Sequence, residues 1–337
     1  MSQFHSLKII KLRQLTDDSV EIIFEIPSNL SSEFTFMPGQ YITISHEINN
    51  EEIRRAYSIC SDVKLDNISI GVKRVKGGKM SNFLTKEVKE GDFLDVMSPN
   101  GSFRLKNEKN IVGICAGSGI TPILSMIKSS PSNFLLVYGN KTQDSSMFLS
   151  DLDKMDINSH YLYSREDISG CFNSRIDENI LLEISKESSF FNADGYFICG
   201  PGLMIDVVEQ FLLSHGIDKS IIHFERFSSV EKEDVSEDIK KVDIISNVTV
   251  IVDGDEFEYE LSSNGENILD SAISQGADVP FSCKGGVCCT CKAKVIEGKA
   301  FMTENYALSE EEVDEGFILT CKSHPHSNDI VVDFDEI

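Results

Sequence analysis

Four cysteines near the C-terminus constrain this chain more than any other feature: Cys283, Cys288 and Cys291 in PFSCKGGVCCTCKAKV, and Cys321 in FILTCKSHP. The spacing is Cys-x4-Cys-x2-Cys, a long gap, then Cys, and four thiolates so spaced satisfy a [2Fe–2S] cluster. A segment carrying this set must fold tightly around an inorganic core. Gly285 and Gly286 permit that, because glycine tolerates positive φ and close backbone approach. Zinc competes for any four-cysteine set, but zinc ribbons pair two short Cys-x2-Cys knuckles. Here three ligands share one loop and the fourth comes from afar, which favours the cluster. A fifth thiol, Cys289, lies inside the loop and reads either as a small residue that fits or as an alternative ligand or redox sensor. A cluster of this kind carries one electron at a time, so the rest of the chain should supply the electrons.

At 337 residues the chain has room for two to three domains. Beyond the four cluster cysteines, Cys60, Cys115, Cys171, Cys199 and Cys289 form an odd set without disulfide-like spacing. The start, MSQFHSLKIIKLRQL, lacks the apolar run of a signal peptide. No stretch approaches the roughly 18 apolar residues of a membrane span. The expectation is a reducing cytoplasm and no membrane. The net charge of −24 is uneven: residues 244–337 hold 19 Asp and Glu against five Lys, a net of −14. Such a surface repels nucleic acid. It suits docking to a basic partner, or serves solubility alone.

Three blocks follow one another. Residues 1–104 alternate apolar and polar over short runs (Ser19–Ile26, Gln40–Ser45, Ala56–Cys60, Ile68–Lys73, Phe93–Met97), punctuated by Pro38-Gly39, Gly77-Gly78 and Asn100-Gly101. This predicts an antiparallel β-barrel, with one helix near Met80–Lys86. In residues 105–228, strand-like runs (Ile111–Cys115, Phe134–Tyr138, Tyr161–Ser164, Gly195–Cys199, Ile221–Phe224) alternate with helical patterns (Pro122–Lys128, Phe148–Met155, Asp177–Ser185, Gly202–His215). That is a doubly wound α/β domain with a parallel sheet. Residues 229–243 are charged and read as a linker. Residues 244–337 form the cluster domain, with a hairpin near Val248–Leu261 and a helix over Asn267–Gln275.

The motifs are individually weak. Ile111–Cys115 runs into Ala116-Gly117-Ser118-Gly119-Ile120-Thr121-Pro122, a buried strand entering a glycine-rich turn and a helix. Backbone N–H groups at such a helix start bind pyrophosphate; the bland alternative is a tight turn, since the full GxGxxG fingerprint is absent. Its place at the first βα crossing favours nucleotide binding. Arg55-Ala56-Tyr57-Ser58 offers a cation for phosphate and a ring for stacking, although the pattern is common in ordinary strands. Lys76-Gly77-Gly78-Lys79-Met80-Ser81 opens a helix and offers another anion site. The seven histidines have no metal spacing with the cysteines. His324-Pro-His326 follows Cys321, but a Rieske centre takes two Cys and two His, and four cysteines already complete this site.

In combination and in this order, the motifs resemble the ferredoxin–NADP reductase superfamily. With the C-terminal segment added, the whole chain is similar to the three-domain oxygenase reductases, whose last domain is an α+β plant-type ferredoxin of β-grasp fold. The resemblance implies that Arg55, Tyr57 and Ser58 hold flavin, with Gly78 and Ser81 at its pyrophosphate. It places nicotinamide dinucleotide at Gly117, Gly119, Thr121 and Pro122, and its ring beside Cys199 and Gly200. Glu225, Arg226 and Phe227 fall where the family's C-terminal strand approaches the flavin, so Tyr57, Ser58, Cys199 and Glu225 are the expected catalytic set. Within the family, CKGGVCCTCKAKV and EGKAFMTENYALSEEEVDEGFILTCKSHP look like the phenylacetyl-CoA epoxidase reductase class, with ketosteroid hydroxylase reductases as the nearest competitors. That class favours FAD over FMN.

The third strand of the α/β domain ends in Tyr163-Ser164-Arg165-Glu166. In NADP-preferring members of the family a Ser-Arg pair here contacts the 2′-phosphate, so Ser164 and Arg165 imply NADPH. No acidic residue ends the second strand, where one would favour NAD. Arg165 also reads as a plain surface residue. The implied function is an NADPH-dependent iron–sulfur flavoprotein passing electrons from NADPH to FAD to [2Fe–2S]. The recipient would be the oxygenase subunits of a separate di-iron monooxygenase acting on phenylacetyl-CoA. A Rieske-oxygenase reductase and an electron carrier without nicotinamide turnover are the alternatives.

Overall fold

The computed structural model describes residues 4–130, 133–227 and 244–336. The expected linker, 229–243, lies outside the described residues. The described residues divide into two compact units, one over 4–227 and the other over 244–336.

The first unit begins with six strands: β1 (Phe4–Thr16), β2 (Ser19–Glu25), β3 (Tyr41–Ile48), β4 (Glu51–Ser58), β5 (Asn67–Lys73) and β6 (Phe93–Asn100). They form an antiparallel sheet of order β4-β3-β6-β1-β2-β5. An Ile59–Ile70 bridge and a Cys60 N–H to Ser69 carbonyl bond of 2.8 Å draw the end of β4 onto β5 and close the sheet into the expected barrel. Closure leaves no edge exposed along that seam. Alternate residues fill the interior: Leu7, Ile9, Ile22, Ile42, Ile44 and Ile70 are fully buried. Helix α1 (Lys79–Lys86) plugs one end through Met80 and Leu84.

The long strand β1 has no counterpart among the predicted runs. Its register shifts between Ile9 and Lys11, and the alternation breaks there: Ile9 is buried, but Ile10 and Lys11 are both exposed. Its first half pairs with β6 and its second with β2. A bulge of this kind breaks the two-residue period on which strand recognition rests.

The same unit continues with β7 (Asn110–Ala116), α2 (Ile120–Ser129), β8 (Asn133–Asn140), α3 (Leu149–Leu152), β9 (Asn158–Tyr163), α4 (Glu178–Ile184), α5 (Ser188–Phe191), β10 (Gly195–Cys199), α6 (Gly202–Ser214) and β11 (Ile222–Glu225). All five strands are parallel, in the order β11-β10-β7-β8-β9. The direction of winding reverses between β7 and β10, which makes that point the topological switch. The helix predicted over Phe148–Met155 is one turn only. Phe148 takes a left-handed φ of 59° just before it, and its ring is buried.

The second unit contains β12 (Ile245–Val252), β13 (Asp255–Ser262), α7 (Ile268–Ser274), β14 (Lys292–Glu297), β15 (Ala300–Met302), α8 (Glu310–Asp314), β16 (Phe317–Leu319), β17 (Ser323–Pro325) and β18 (Asp329–Asp333). The main sheet has order β13-β12-β18-β14-β16, with β12 and β18 parallel and the other pairs antiparallel; β15 and β17 make a small ribbon. The expected hairpin turns at Asp253-Gly254, both at positive φ, as a tight two-residue connection requires. Asn267 caps α7 by accepting from the Asp270 N–H. The helix packs against the segment carrying Cys321, giving the β-grasp arrangement. No helix among the described residues is long and apolar enough to cross a membrane.

Candidate functional site

The thiols of the second unit are assembled by strand pairing. Antiparallel pairing of β14 with β16 sets Lys292 opposite Leu319, so the residues just beyond, Cys291 and the Thr320-Cys321 step, are neighbours. Thr320 fastens them twice, its N–H and Oγ1 donating to the Cys291 carbonyl at 3.1 and 2.9 Å. At the other end of the loop, Cys288 Sγ donates to Cys283 Sγ at 3.1 Å. The four sulfurs therefore stand as two pairs, 283 with 288 and 291 with 321. Among the described residues no three His, Cys, Asp or Glu side chains converge on one point. Two pairs of thiols offer two protein ligands to each of two irons, whereas one zinc ion takes four around itself. The donor set fits a [2Fe–2S] cluster.

The surroundings also suit thiolates. The bond from Cys288 holds the Cys283 thiol down at about 6 against the cost of burial, with further help from the Gly285, Val287 and Cys288 N–H groups. Cys321 is likewise lowered by Cys291, with the Gly286 N–H contributing, while Cys288 and Cys291 are raised as the proton-holding partners. Gly286 sits at φ +71° in this loop. The Cys289 thiol, half-buried, reaches the Ala307 carbonyl at 3.5 Å. Lys322 loses solvent on burial, but Glu304 and then the sulfurs of Cys321 and Cys283 raise its pKa.

In the first unit the residues singled out for nucleotides gather at the C-terminal ends of β7 and β10. Gly117 turns at φ +57°. Gly119 is required by a close approach: a Cβ there would stand 2.1 Å from the Cys199 carbonyl oxygen and 3.1 Å from the Gly200 N. Helices α2 and α6 both begin here, and neither N-terminus carries a side-chain cap. Two such ends leave N–H groups and positive dipole ends facing the switch point, where an anion is favoured. Thr121 and Pro122, buried in the first turn of α2, anchor that helix. Ser164 and Arg165 follow β9, at the sheet edge two strands from β7, or about 10 Å at the usual strand spacing. Arg165 is exposed.

The barrel meets the parallel sheet at the C-terminal end of β11, the opposite edge from β9. On β4, Arg55 and Tyr57 lie two residues apart and so share one face. Tyr57 packs on the barrel core, and burial raises its phenol, against the nearby Arg55 charge. Ser58 Oγ donates to Glu225 Oε2 at 3.3 Å. Glu225 lies opposite Cys199 in the β10–β11 register. Ser58, Cys199, Glu225 and Gly119, spread over 168 residues of sequence, are thus one site. Glu225 keeps partial exposure as a residue, yet desolvation pushes its carboxyl up to about 8, only partly opposed by Ser58. Burial raises the Cys199 thiol. Gly78 ends the approach to α1 without a side-chain cap, and a Cβ there would crowd Ser81 Oγ at 2.7 Å. Ser81 Oγ accepts from the Val75 N–H at 3.1 Å. An uncapped helix start, an exposed arginine and a ring on one barrel wall fit a flavin nucleotide.

Sequence reasoning missed the contacts that join barrel and parallel sheet. Gly71, in mid-strand, lies where a Cβ would meet Thr121 Cγ2 at 2.6 Å and the Phe148 ring at 2.8 Å. Arg13 bridges Glu21 of the barrel at 2.8 Å and Asp151 of α3 at 2.9 Å, and sits over the Phe148 ring at 5.6 Å. A glycine inside a strand signals close approach, so Gly71 carried a readable sign; Arg13 carried none.

Comparison with known proteins agrees with this geometry. Residues 6–105 match the oxidoreductase FAD-binding domain, 114–210 the oxidoreductase NAD-binding domain and 250–326 the 2Fe-2S iron-sulfur cluster binding domain. The chain is 39% identical to one of the subunits of 1,2-phenylacetyl-CoA epoxidase from Escherichia coli K12, over 99% of each chain. It is 29% identical to the ferredoxin reductase component of 3-ketosteroid-9-alpha-monooxygenase from Rhodococcus rhodochrous, covering 95% of this chain and 93% of that one. Among solved structures it superposes on phthalate dioxygenase reductase with a TM-score of 0.63 at 23% identity, over 98% of both chains, a likeness of fold. The chain belongs to the three-domain oxygenase reductases of the ferredoxin–NADP reductase superfamily, an oxidoreductase component with FAD-binding, NAD-binding and [2Fe–2S] domains.

Proposed function

We propose that this reductase draws on NADPH and serves a multicomponent di-iron oxygenase that epoxidises phenylacetyl-CoA. The observation that carries the chemistry is the convergence of Ser58, Cys199 and Glu225 beneath two uncapped helix ends. That of the partner is the full-length likeness to a component of phenylacetyl-CoA epoxidase. Bound FAD and cluster supply hydride acceptance and one-electron transfer; the protein supplies positioning and electrostatics.

Each residue has a part in that positioning. Arg55 neutralises flavin phosphate, and Gly78 and Ser81 open α1 towards its pyrophosphate. Tyr57 supports the ring system. Gly117, Gly119, Thr121 and Pro122 shape the turn that receives the dinucleotide phosphates, and Gly200 lets it approach β10. Cys199 and the Glu225–Ser58 pair line the place where the nicotinamide meets the flavin, and a carboxyl pushed to about 8 is able to hold a proton there at neutral pH. Ser164 and Arg165 would read the 2′-phosphate. Cys283, Cys288, Cys291 and Cys321 hold the cluster. None of the nine cysteines is in a disulfide, which suits a reducing cytoplasm.

Reconstitution tests the proposal. The protein is mixed with the oxygenase components of phenylacetyl-CoA epoxidase, and NADPH oxidation is followed together with epoxide formation. Coupled turnover supports it. Turnover only with a ketosteroid monooxygenase, the relative at 29% identity, selects that reading instead. Failure to reduce cytochrome c with NADPH leaves an electron carrier. Arg55→Ala should weaken flavin retention by about 1.5–3 kcal/mol through loss of a charge-assisted contact, and unchanged flavin content contradicts its placement.

A further inference from the structure

Lysine directly follows three of the four cluster cysteines: Cys283-Lys284, Cys291-Lys292 and Cys321-Lys322. Each of these lysines is paired with an acid, Lys284 with Asp270 at 2.6 Å, Lys292 with Glu312 at 3.3 Å and Lys322 with Glu304 at 2.8 Å. Lys322 is placed differently from the other two. Its side chain crosses the three-ligand loop: a Cβ on Gly286 would stand 3.1 Å from Lys322 Cγ and 3.3 Å from the Glu304 carbonyl oxygen. The crossing is fixed from behind, because Thr303 N–H donates to the Lys322 carbonyl at 2.8 Å and Tyr306 N–H to the Gly286 carbonyl at 3.0 Å. One short segment, 303–306, thereby holds the loop, the lysine and the acid together. Lys322 thus follows Cys321 directly while its side chain lies against Gly286, between Cys283 and Cys288 of the loop.

A partly exposed ion pair adds little to stability, so folding alone gives a weak reason to hold a lysine there. The electrostatic reason is stronger. Reduction of the cluster by one electron adds one unit of negative charge without adding a ligand, and nearby charge is one of the quantities that set such potentials. We propose that Lys322, held across Gly286 by Glu304, sets the reduction potential of the [2Fe–2S] centre. The ammonium raises the potential by stabilising the reduced state, and the Glu304 carboxylate, of opposite charge, opposes it. This rests on the assignment of the four cysteines to that cluster.

The test uses the full-length holoprotein in an anaerobic titration with dithionite, followed by the electron paramagnetic resonance signal of the reduced cluster. Iron and acid-labile sulfide are assayed in parallel. Lys322→Met should move the midpoint to a more negative value and Glu304→Gln to a more positive one, with cluster content unchanged in both. Lys322→Arg, which keeps the charge, should keep the midpoint near that of the parent protein. Midpoints that stay put in both charge variants, or that move in the same direction, overturn the proposal. Should Lys322→Met fail to load its cluster, the sign of the Glu304→Gln shift decides alone. Absence of iron and sulfide from the parent protein would instead end the cluster assignment, a distinct failure.

Discussion

The two units assemble their sites in opposite ways. In the cluster unit, three of the four candidate ligands sit within nine consecutive residues, and one strand pairing, β14 with β16, brings the fourth. In the flavin–nicotinamide unit, Ser58, Gly119, Cys199 and Glu225 come from the ends of four separate segments and meet only because a barrel is packed against a parallel sheet. The first site is a property of a loop, and the second is a property of an interface between two folded layers. A site of the first kind should fail through its ligands, and one of the second kind through its spacing.

The largest expected effect tests the loop. Cys321→Ser should abolish most of the iron and sulfide content while nicotinamide-dependent flavin reduction persists, since no residue of the first unit's site comes from the loop. Equal loss of both activities, measured by metal analysis and stopped-flow absorbance, would break the comparison. Next comes the nucleotide edge. Arg165→Ala should raise KM for NADPH by about 10–100-fold, the loss of a charge-assisted contact, and leave NADH nearly unaffected because the two differ only at the 2′-phosphate. Equal effects on both would remove Arg165 from that role.

Spacing is probed by Gly71→Ala. A Cβ there would meet Thr121 Cγ2 and the Phe148 ring at 2.6 and 2.8 Å, and overpacking of this kind costs about 1–3 kcal/mol. Chemical denaturation should show the first unit weakened and flavin reduction slowed, with the cluster spectrum unaltered. A fully stable variant would show that barrel and sheet are not held at a fixed separation.

Glu225 gives a smaller, pH-dependent effect. Its folded carboxyl lies at about 8 against an ordinary 4.5. Between those values the folded state keeps a proton that the unfolded state has released, so stability falls as pH rises through the window. Water reaches the residue, so the total is about 1–2 kcal/mol, well under the full linkage value. Glu225→Gln has no such slope, and its stability relative to the parent should increase from pH 5 to 8 in the flavin-free protein. Parallel stability curves would show that the carboxyl is not desolvated.

The smallest effect belongs to the acidic surface. Glu310, Glu311, Glu312, Asp314 and Glu315 lie on and just after α8, where a capping box starts the helix at Ser309. Reversing two or three charges should slow coupled oxygenase turnover a few-fold at low salt, because steering is screened beyond about 8 Å at physiological ionic strength. Ferricyanide reduction should be unchanged. Salt-independent coupling would assign the acidic residues to solubility.

Much of the architecture was readable from residues alone. The period-two runs marked four of the six barrel strands closely, the βα alternation gave the parallel sheet, and Cys-x4-Cys-x2-Cys pointed to the 2Fe-2S domain, because each signal is contained in a short stretch of chain. Strand β1 was not readable: its bulge at Ile9 and Lys11 changes the phase, and its two halves serve different partners. The helix predicted from Phe148 to Met155 shrank to one turn: Phe148 adopts a left-handed φ before it, with its ring buried where barrel and sheet meet, and beyond Leu152 the Lys154 and Met155 N–H groups bond three residues back, to Asp151 and Leu152, as turns.

The sequence by itself determined which residues are candidates for the chemistry: the four thiols, the glycine turn after β7, the Arg-x-Tyr-Ser strand and the acidic C-terminal third. Only the tertiary structure decided how they combine. It paired the sulfurs two and two, set Ser58 against Glu225 beside Cys199, raised a carboxyl by desolvation, and laid Lys322 over Gly286. The reason is physical. Ligand identity and local turn geometry are encoded over a few residues, whereas desolvation and close approach depend on what packs on the other side, and that is supplied by chain many tens of residues away.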